Sequence, residues 1–374
     1  MKKPINYTFI VITLALLISG VLFLATLSAP ASLQVFGNTS HYLFHQLITI
    51  GIGLVLATVA FKIPLRILKK FAIVLFAINI LLVIAVFLPG IGSKFLGAKR
   101  WVSFGNNSFQ PSEFLKITAI LYLAAWLSNR SFGQVKNNWL SWAKREWQNI
   151  ISLYVPFLCL LALVAGLLYL QKDLSTMGII AIALIVVYFC SQTPLWHTLC
   201  TVIVGSLGAA LFVFLEPYRM QRFEVFLHPE TDPLGIGLQL KQSLIAIGSG
   251  GFFGKGLGMS TQKFGFLPQA MTDSIFAILG EETGIIGSSI IIGLFLAFFW
   301  QIVRISQKAT DTFSKLAAIG IGTWITTQAF VNIASAVGMF PLSGIPLPFF
   351  SYGGSHIIAE LIGVGILLNI SKHA

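Results

Sequence analysis

Three carboxylates stand in or at the edge of one apolar run, LPQAMTDSIFAILGEETG: Asp273 at its doorway, Glu281 and Glu282 inside it. A carboxylate at depth in an apolar medium is costly and usually faces a partner or a water-filled cavity. On a regular helix Asp273, Ala277 and Glu281 recur at intervals of four and line one path inward. Glu281 and Glu282 then lie about 12–13 Å along the element. Asp273 has a plainer reading too, as a charge complementing a helix dipole. In FQPSEFLK, Glu113 and Lys116 are three apart and share a helical face, so they read as a self-neutralising pair or as part of a site. Asp173, in the polar island QKDLST, is a helix N-cap or a member of the same polar set.

Cations accompany these acids. Lys99 and Arg100, in GAKRW, make a positive rim that suits a phosphate-bearing ligand, with Trp101 as an interfacial residue. Across 217–243, Arg219, Arg222, Gln239, Gln242 and Ser243 alternate with aromatics, as in an amphipathic element on a membrane surface or one whose arginines snorkel. Lys255 sits in GSGGFFGKGLG, where successive N–H groups suit an anion. No Ser or Thr follows the lysine and no strand precedes the run, so it reads as a turn-rich loop and not a nucleotide site. FPLSGIPLPFFSYGGSH, 340–356, is too apolar for a solvated linker and reads as a re-entrant turn.

The elements that position these groups are set by composition. The chain has 374 residues, 56% hydrophobic and 10% charged, with mean hydropathy +0.87, which places it in a bilayer. A helix needs roughly 20 apolar residues to cross about 30 Å of hydrocarbon. Ten spans follow, at 7–29, 43–61, 68–89, 113–129, 150–170, 174–191, 195–215, 273–303, 313–337 and 352–370. The expected fold is an all-α integral membrane protein, one polytopic domain over 1–374, with a long extracytoplasmic loop, 216–272, between spans seven and eight. A loop of that length has a function or short helices of its own. The first span, behind Lys2 and Lys3, is longer than a signal-peptide core and is expected to be a retained anchor.

A cytoplasmic N-terminus puts Lys62, Arg66, Lys69, Lys70, Arg130, Lys136, Lys144, Arg145, Arg304, Lys308 and Lys315 inside, as the positive-inside rule asks, and makes both termini cytoplasmic. Only Glu146 and Asp311 of the acids fall inside, while Glu113, Asp173, Glu216, Glu224, Glu230, Asp232, Asp273, Glu281, Glu282 and Glu360 lie outside or within spans. The chemistry therefore faces outward. The net charge of +12 belongs to this topology and not to nucleic acid, since no basic tract exceeds a pair. Cys159, Cys190 and Cys200 lack the spacing of a metal site or disulfide framework and read as packing residues.

In order along the chain, GAKRW, FQPSEFLK, QKDLST, YRMQRF, QSLIAIGSGGFFGKGLG, LPQAMTDSIFAILGEETG and GIPLPFFSYGGS resemble the motifs of the SEDS family, which includes FtsW, RodA and SpoVE. The resemblance covers about Gly97 to Leu368. It implies a peptidoglycan glycosyltransferase of the bacterial cytoplasmic membrane that polymerises lipid II on the outer face. Partners so implied are a class B penicillin-binding protein, lipid II with the nascent glycan, and divisome or elongasome proteins. By similarity Asp273 is the catalytic aspartate, and Glu113, Lys116 and Asp173 are further important positions. An Asp273 carboxylate would take the acceptor hydroxyl's proton as the C–O bond forms. Arg100, Lys116, Arg219 or a divalent cation, Mg²⁺ or Mn²⁺, would stabilise the departing pyrophosphate.

The sequence departs from the common family wording before the aspartate, where Gln269, Met271 and Ser274 replace Glu, His and Phe. Roles for the first two positions in metal binding or proton transfer are thereby in doubt. The wording of GAKRW and the basic loop 130–149 lean towards an FtsW-like division enzyme over a RodA-like elongation enzyme. A lipid II flippase and a non-catalytic scaffold are the competing classes. A flippase would carry polar features at both membrane faces, whereas these cluster on one. The metal ligands, and the protonation and partners of Glu281, Glu282 and Glu360, are not legible. Desolvation should keep Glu281 and Glu282 protonated unless a cation lies close.

Overall fold

The computed structural model describes residues 6–90, 92–95, 98–104, 107–130, 146–215 and 217–373. Lys2, Lys3, Gly97, Lys136, Lys144, Arg145 and Glu216 lie outside the described residues. The helices are α1 Tyr7–Phe36, α2 His41–Lys62, α3 Leu65–Ala85, α4 Pro111–Ser128, α5 Glu146–Leu170, α6 Leu174–Cys190, α7 Leu195–Leu215, α8 Pro217–Leu227, α9 Ile236–Gly250, α10 Ile275–Lys308, α11 Thr312–Ala336 and α12 Gly354–His373. A helix stands at each expected span. Among the described residues, eight are long and apolar enough to cross a membrane. The other two are α6, with 17 residues, and α4, with 18 and a charged pair in its first turns.

Large apolar side chains point outward from these helices, among them Val55, Ile73 and Val204. In water such a surface would be unstable, so its neighbours are lipid chains. Polar side chains turn inward instead, including Gln46, Lys116, Gln328, Asn332 and Glu360.

Ahead of α4 the chain forms a small antiparallel meander: β1 Gly92–Phe95, β2 Ala98–Phe104 and β3 Asn107–Phe109, in that order. An otherwise helical expectation did not include it. Its register pairs Ser93 with Trp101 and Val102 with Phe109. Val102 is buried between half-buried Trp101 and Ser103, the two-residue alternation of a half-covered strand.

The chain divides into two compact units, the first made of 1–63, 210–308 and 325–374, the second of 64–209 and 309–324. In the first, α2 packs along α12, α1 along α10, and α9 along the start of α10. The segment 217–272 is thus folded, with α8, a short turn at Pro229–Thr231 and α9. In the second unit α4 packs between α3 and α6.

Helix α10 is not one regular span. Gly284 has φ 66° and ψ −164° and breaks it. Ile275–Gly280, Glu281 and Glu282 are enclosed by protein before the break, whereas Ile285, Ile286 and Ile290 are exposed after it. From Ile285 to Arg304 is about 20 residues, roughly 30 Å, enough by itself to cross the hydrocarbon. Glu281 and Glu282 are therefore not 12–13 Å down a regular span. They belong to a short enclosed helix outside the lipid-facing part, and Ala277, also fully buried, lines no open path.

The glycine-rich run supplies what the break leaves unpaired. Lys255 and Gly256 N–H groups donate to the Glu281 and Glu282 carbonyls, each at 3.0 Å, and Ile285 and Ile286 donate to Gly251 and Phe252 carbonyls at 2.9 and 3.2 Å. A Cβ on Gly254 would stand 2.2 Å from the Glu282 carbonyl oxygen. Close backbone approach, and not anion binding, is what the glycines of GSGGFFGKGLG provide here.

Candidate functional site

Asp273 precedes α10 and does not ride on it. Its turn is nucleated at Gln269, whose φ of 54° is left-handed. The Thr272 and Ser274 N–H groups donate to the Gln269 carbonyl at 3.0 and 3.2 Å, and the Thr272 hydroxyl donates to Gln269 Oε1 at 2.9 Å. Gln269 is thus a turn former. Ser274 accepts from Gln239 Nε2 of α9 at 3.0 Å, which brings one expected site residue to the neighbour of another.

Segment 341–353 closes on the same turn. Asn332 of α11 donates from Nδ2 to the Asp273 carbonyl at 2.9 Å and to the Ile345 carbonyl at 2.8 Å. Tyr352 N–H donates to the Met271 carbonyl at 2.8 Å, and the Ser351 hydroxyl to the Thr272 carbonyl at 2.5 Å. Glu360, fully buried in α12, accepts from the Phe349 N–H at 2.9 Å and from Gln328 Nε2 at 3.4 Å, with His356 Nδ1 3.5 Å away. The segment is buried against protein, with Ile345, Leu347, Phe349 and Phe350 enclosed, and its Leu347 and Phe349 N–H groups donate to the buried Ser351 and Glu360 side chains. A Cβ on Gly344 would stand 3.7 Å from Asp273 Oδ2, so the half-buried carboxylate lies along this segment. Arg222 reaches it too, donating to the Leu342 carbonyl at 3.0 Å.

The remaining candidates of this unit separate. Arg219 donates to the Phe212 carbonyl at 3.1 Å. Gln242 is half-buried on α9. Lys255 pairs with Glu281 at 2.7 Å, and Glu281 also accepts from the hydroxyls of Ser260 and Thr261. Lys263 Nζ lies 3.9 Å from Glu282. The cations that the two glutamates required are therefore beside them, and Lys255 is committed to this network.

The second unit holds the other polar set. Lys116 Nζ binds both Glu113 oxygens, at 3.0 and 2.8 Å, and lies 5.5 Å from the Trp324 ring centroid, with lysine and glutamate both buried. Asp173 caps α6, accepting from the Thr176 N–H at 3.4 Å, and receives Gln110 Nε2 at 3.5 Å. Arg100 donates to the Gln171 and Lys172 carbonyls. Lys99 stands on β2 opposite Lys94. Arg100, Gln110 and Asp173 thus gather at the 171–173 island, and Glu113 and Lys116 follow Gln110 on α4.

Sequence reasoning missed Asn332, Gln328, Ser351 and Tyr352. Gln328, Asn332 and Ser335 recur at four and three along α11, a polar stripe that was available as a signal. It missed also a second buried cluster, in which His197 Nδ1 meets the Tyr188 hydroxyl at 2.8 Å and lies 3.8 Å, through Nε2, from Glu146.

Among known proteins, the family model described as Cell cycle protein, FTSW_RODA_SPOVE, matches residues 7–374. A probable peptidoglycan glycosyltransferase FtsW of Coxiella burnetii is 36% identical, covering 99% of this chain and 98% of the relative. Stage V sporulation protein E of Bacillus subtilis is 35% identical, covering 100% and 98%. A solved chain described under structural coordination of polymerization and crosslinking by a peptidoglycan synthase complex has TM-score 0.77 and 25% identity, with 98% of each chain covered. The rod shape determining protein RodA of Thermus thermophilus has TM-score 0.71 and 25% identity, over 98% of this chain and 97% of that one.

Proposed function

The chain belongs to the FtsW/RodA/SpoVE family, and we propose that it is a peptidoglycan glycosyltransferase that polymerises lipid II during cell division, with Asp273 as its general base. It is a multi-pass membrane protein, and the cation distribution supports both termini in the cytoplasm and Asp273 at the outer face of the cytoplasmic membrane. The division role rests on the FtsW relatives.

One observation carries the mechanism. The Asp273 carboxylate is half-buried on a turn whose backbone is held by Asn332, Ser351 and Tyr352. Holding a base in place lowers the barrier by removing the cost of positioning it at the moment of reaction. In the reaction the acceptor hydroxyl oxygen bonds to the donor's anomeric carbon, and the bond from that carbon to the lipid-linked diphosphate breaks. The hydroxyl proton passes to Asp273, and the diphosphate leaves with the electron pair.

A divalent cation, Mg²⁺ or Mn²⁺, fits this arrangement as a companion of the diphosphate. Among the described residues no three His, Cys, Asp or Glu side chains gather as a metal cage. Mg²⁺ commonly keeps most of its ligands from substrate phosphates and water, so the ion would come to this site with the diphosphate. Such an ion would neutralise charge on the leaving group. A class B penicillin-binding protein is the proposed partner, supported by the likeness to a chain of a peptidoglycan synthase complex.

The test is paired. Liposomes holding the protein, its transpeptidase partner, lipid II and Mg²⁺ or Mn²⁺ are assayed for glycan polymer and, separately, for movement of fluorescent lipid between leaflets. Polymer is expected. Lipid movement without polymer would favour the flippase and overturn the reading.

A further inference from the structure

The loop 251–266 has its polarity inverted. Its polar side chains are engaged by the two buried glutamates: Ser260, buried, and Thr261 bind Glu281, the largely buried Lys263 lies near Glu282, and Lys255, part-exposed, pairs with Glu281. Its large apolar side chains turn outward, with Phe252, Phe253, Leu257, Met259, Phe264 and Phe266 all exposed, Phe253 to 83%. A water-facing loop would show the opposite distribution, and single exposed apolar residues would need no account.

Two helices fix where the loop stands relative to the bilayer. Its backbone bonds to Ile285 and Ile286, where the lipid-exposed face of α10 begins. At the other end of that face, Arg304 lies over the Trp300 ring, the aromatic and basic pairing of a membrane boundary. Independently, Gly258 lies against Thr26, which is about 28 Å along α1 from Tyr7 at 1.5 Å per residue. Both counts put the loop at the edge of the hydrocarbon remote from Tyr7 and Lys308. With a cytoplasmic N-terminus, this edge is in the outer leaflet.

We infer that residues 251–266 form a lipid wedge, whose six apolar side chains insert among the acyl chains of the leaflet on that side. Its occupant is the bilayer, because the patch continues the lipid-exposed face of α10. Insertion needs no anionic headgroup, since Lys255 and Lys263 are engaged by the two buried glutamates.

The test uses the full chain alone in nanodiscs, so it needs no polymerase activity and no partner. Single nitroxide labels are placed by Phe253→Cys and, separately, Met259→Cys after Cys159, Cys190 and Cys200 are replaced by Ala. Ile290→Cys gives the lipid reference and Leu234→Cys, on a highly exposed residue of segment 228–235, the aqueous one. The expected ratio of collision with oxygen to collision with a water-soluble nickel chelate is several-fold above that at position 234 and close to that at 290. The same ratio is expected in zwitterionic and anionic lipid. Ratios like that at 234, or labels reached by neither reagent, overturn the wedge, the second outcome pointing to contact between copies of the chain.

Discussion

Asn332 on α11 holds Asp273 by its backbone, its Nδ2 group lying 2.9 Å from the Asp273 carbonyl and 2.8 Å from that of Ile345. One buried amide thus ties the backbone of the proposed base to that of segment 341–353 beside it. Asn332→Ala is expected to lower the polymerisation rate at saturating lipid II by about ten- to a hundredfold, the scale of a misplacement near 1 Å. The KM should change little. An unchanged rate in a folded variant would show that the clamp does not position the base.

The Glu113–Lys116 pair is buried on both sides, so its members are unequal to their sum. Glu113→Gln leaves a buried ammonium without its counter-charge and is expected to cost about 3–5 kcal/mol of stability, read as a lower thermal midpoint in detergent. Glu113→Gln combined with Lys116→Met should recover most of that midpoint. A single variant as stable as the parent would contradict the account of the pair.

At the break in α10, Gly284 combines a left-handed φ with a Cβ position 2.4 Å from the Gly254 nitrogen. Gly284→Ala should therefore lower the thermal midpoint sharply or prevent recovery of monodisperse protein. Gly166→Ala, in α5 with nothing within 4 Å of the added carbon, should be neutral or slightly stabilising. Equal behaviour of the two would count against the tight backbone docking.

These sites differ in how legible they were. Glu113, Lys116 and Asp173 are read locally, because helical spacing and capping act within one turn, and the structure places them as an ion pair and a cap. The apolar runs were equally plain, since crossing a bilayer demands length, and among the described residues eight helices meet that demand. The break at Gly284 was not, because a glycine is ordinary in a membrane helix and its φ depends on a loop some thirty residues earlier. That is why Glu281 and Glu282 looked deep in lipid when their partners, Lys255, Ser260, Thr261 and Lys263, were far off in sequence. Asn332 was half-legible: the stripe it forms with Gln328 and Ser335 marks a polar helix face, but which carbonyls its amide binds depends on turns far off in sequence.

Divalent cations enter through the substrate diphosphate in this account. Chelation by EDTA is expected to suppress polymer formation, and added Mn²⁺ or Mg²⁺ to restore it, without change in the thermal midpoint of the substrate-free protein. Full polymerisation in EDTA would remove the cation from the mechanism. A large fall in the midpoint on chelation would instead indicate a resident structural ion.

The central claim is that the Asp273 carboxylate takes the acceptor proton. Asp273→Asn keeps the side-chain shape and the backbone contacts to Asn332, so the protein should fold with an unchanged thermal midpoint. Initial rates of lipid II polymerisation, measured with the partner present, should fall by at least about 10²–10⁴-fold, the usual worth of a general base. Glycan polymer formed by folded Asp273→Asn at the parental rate would contradict the assignment.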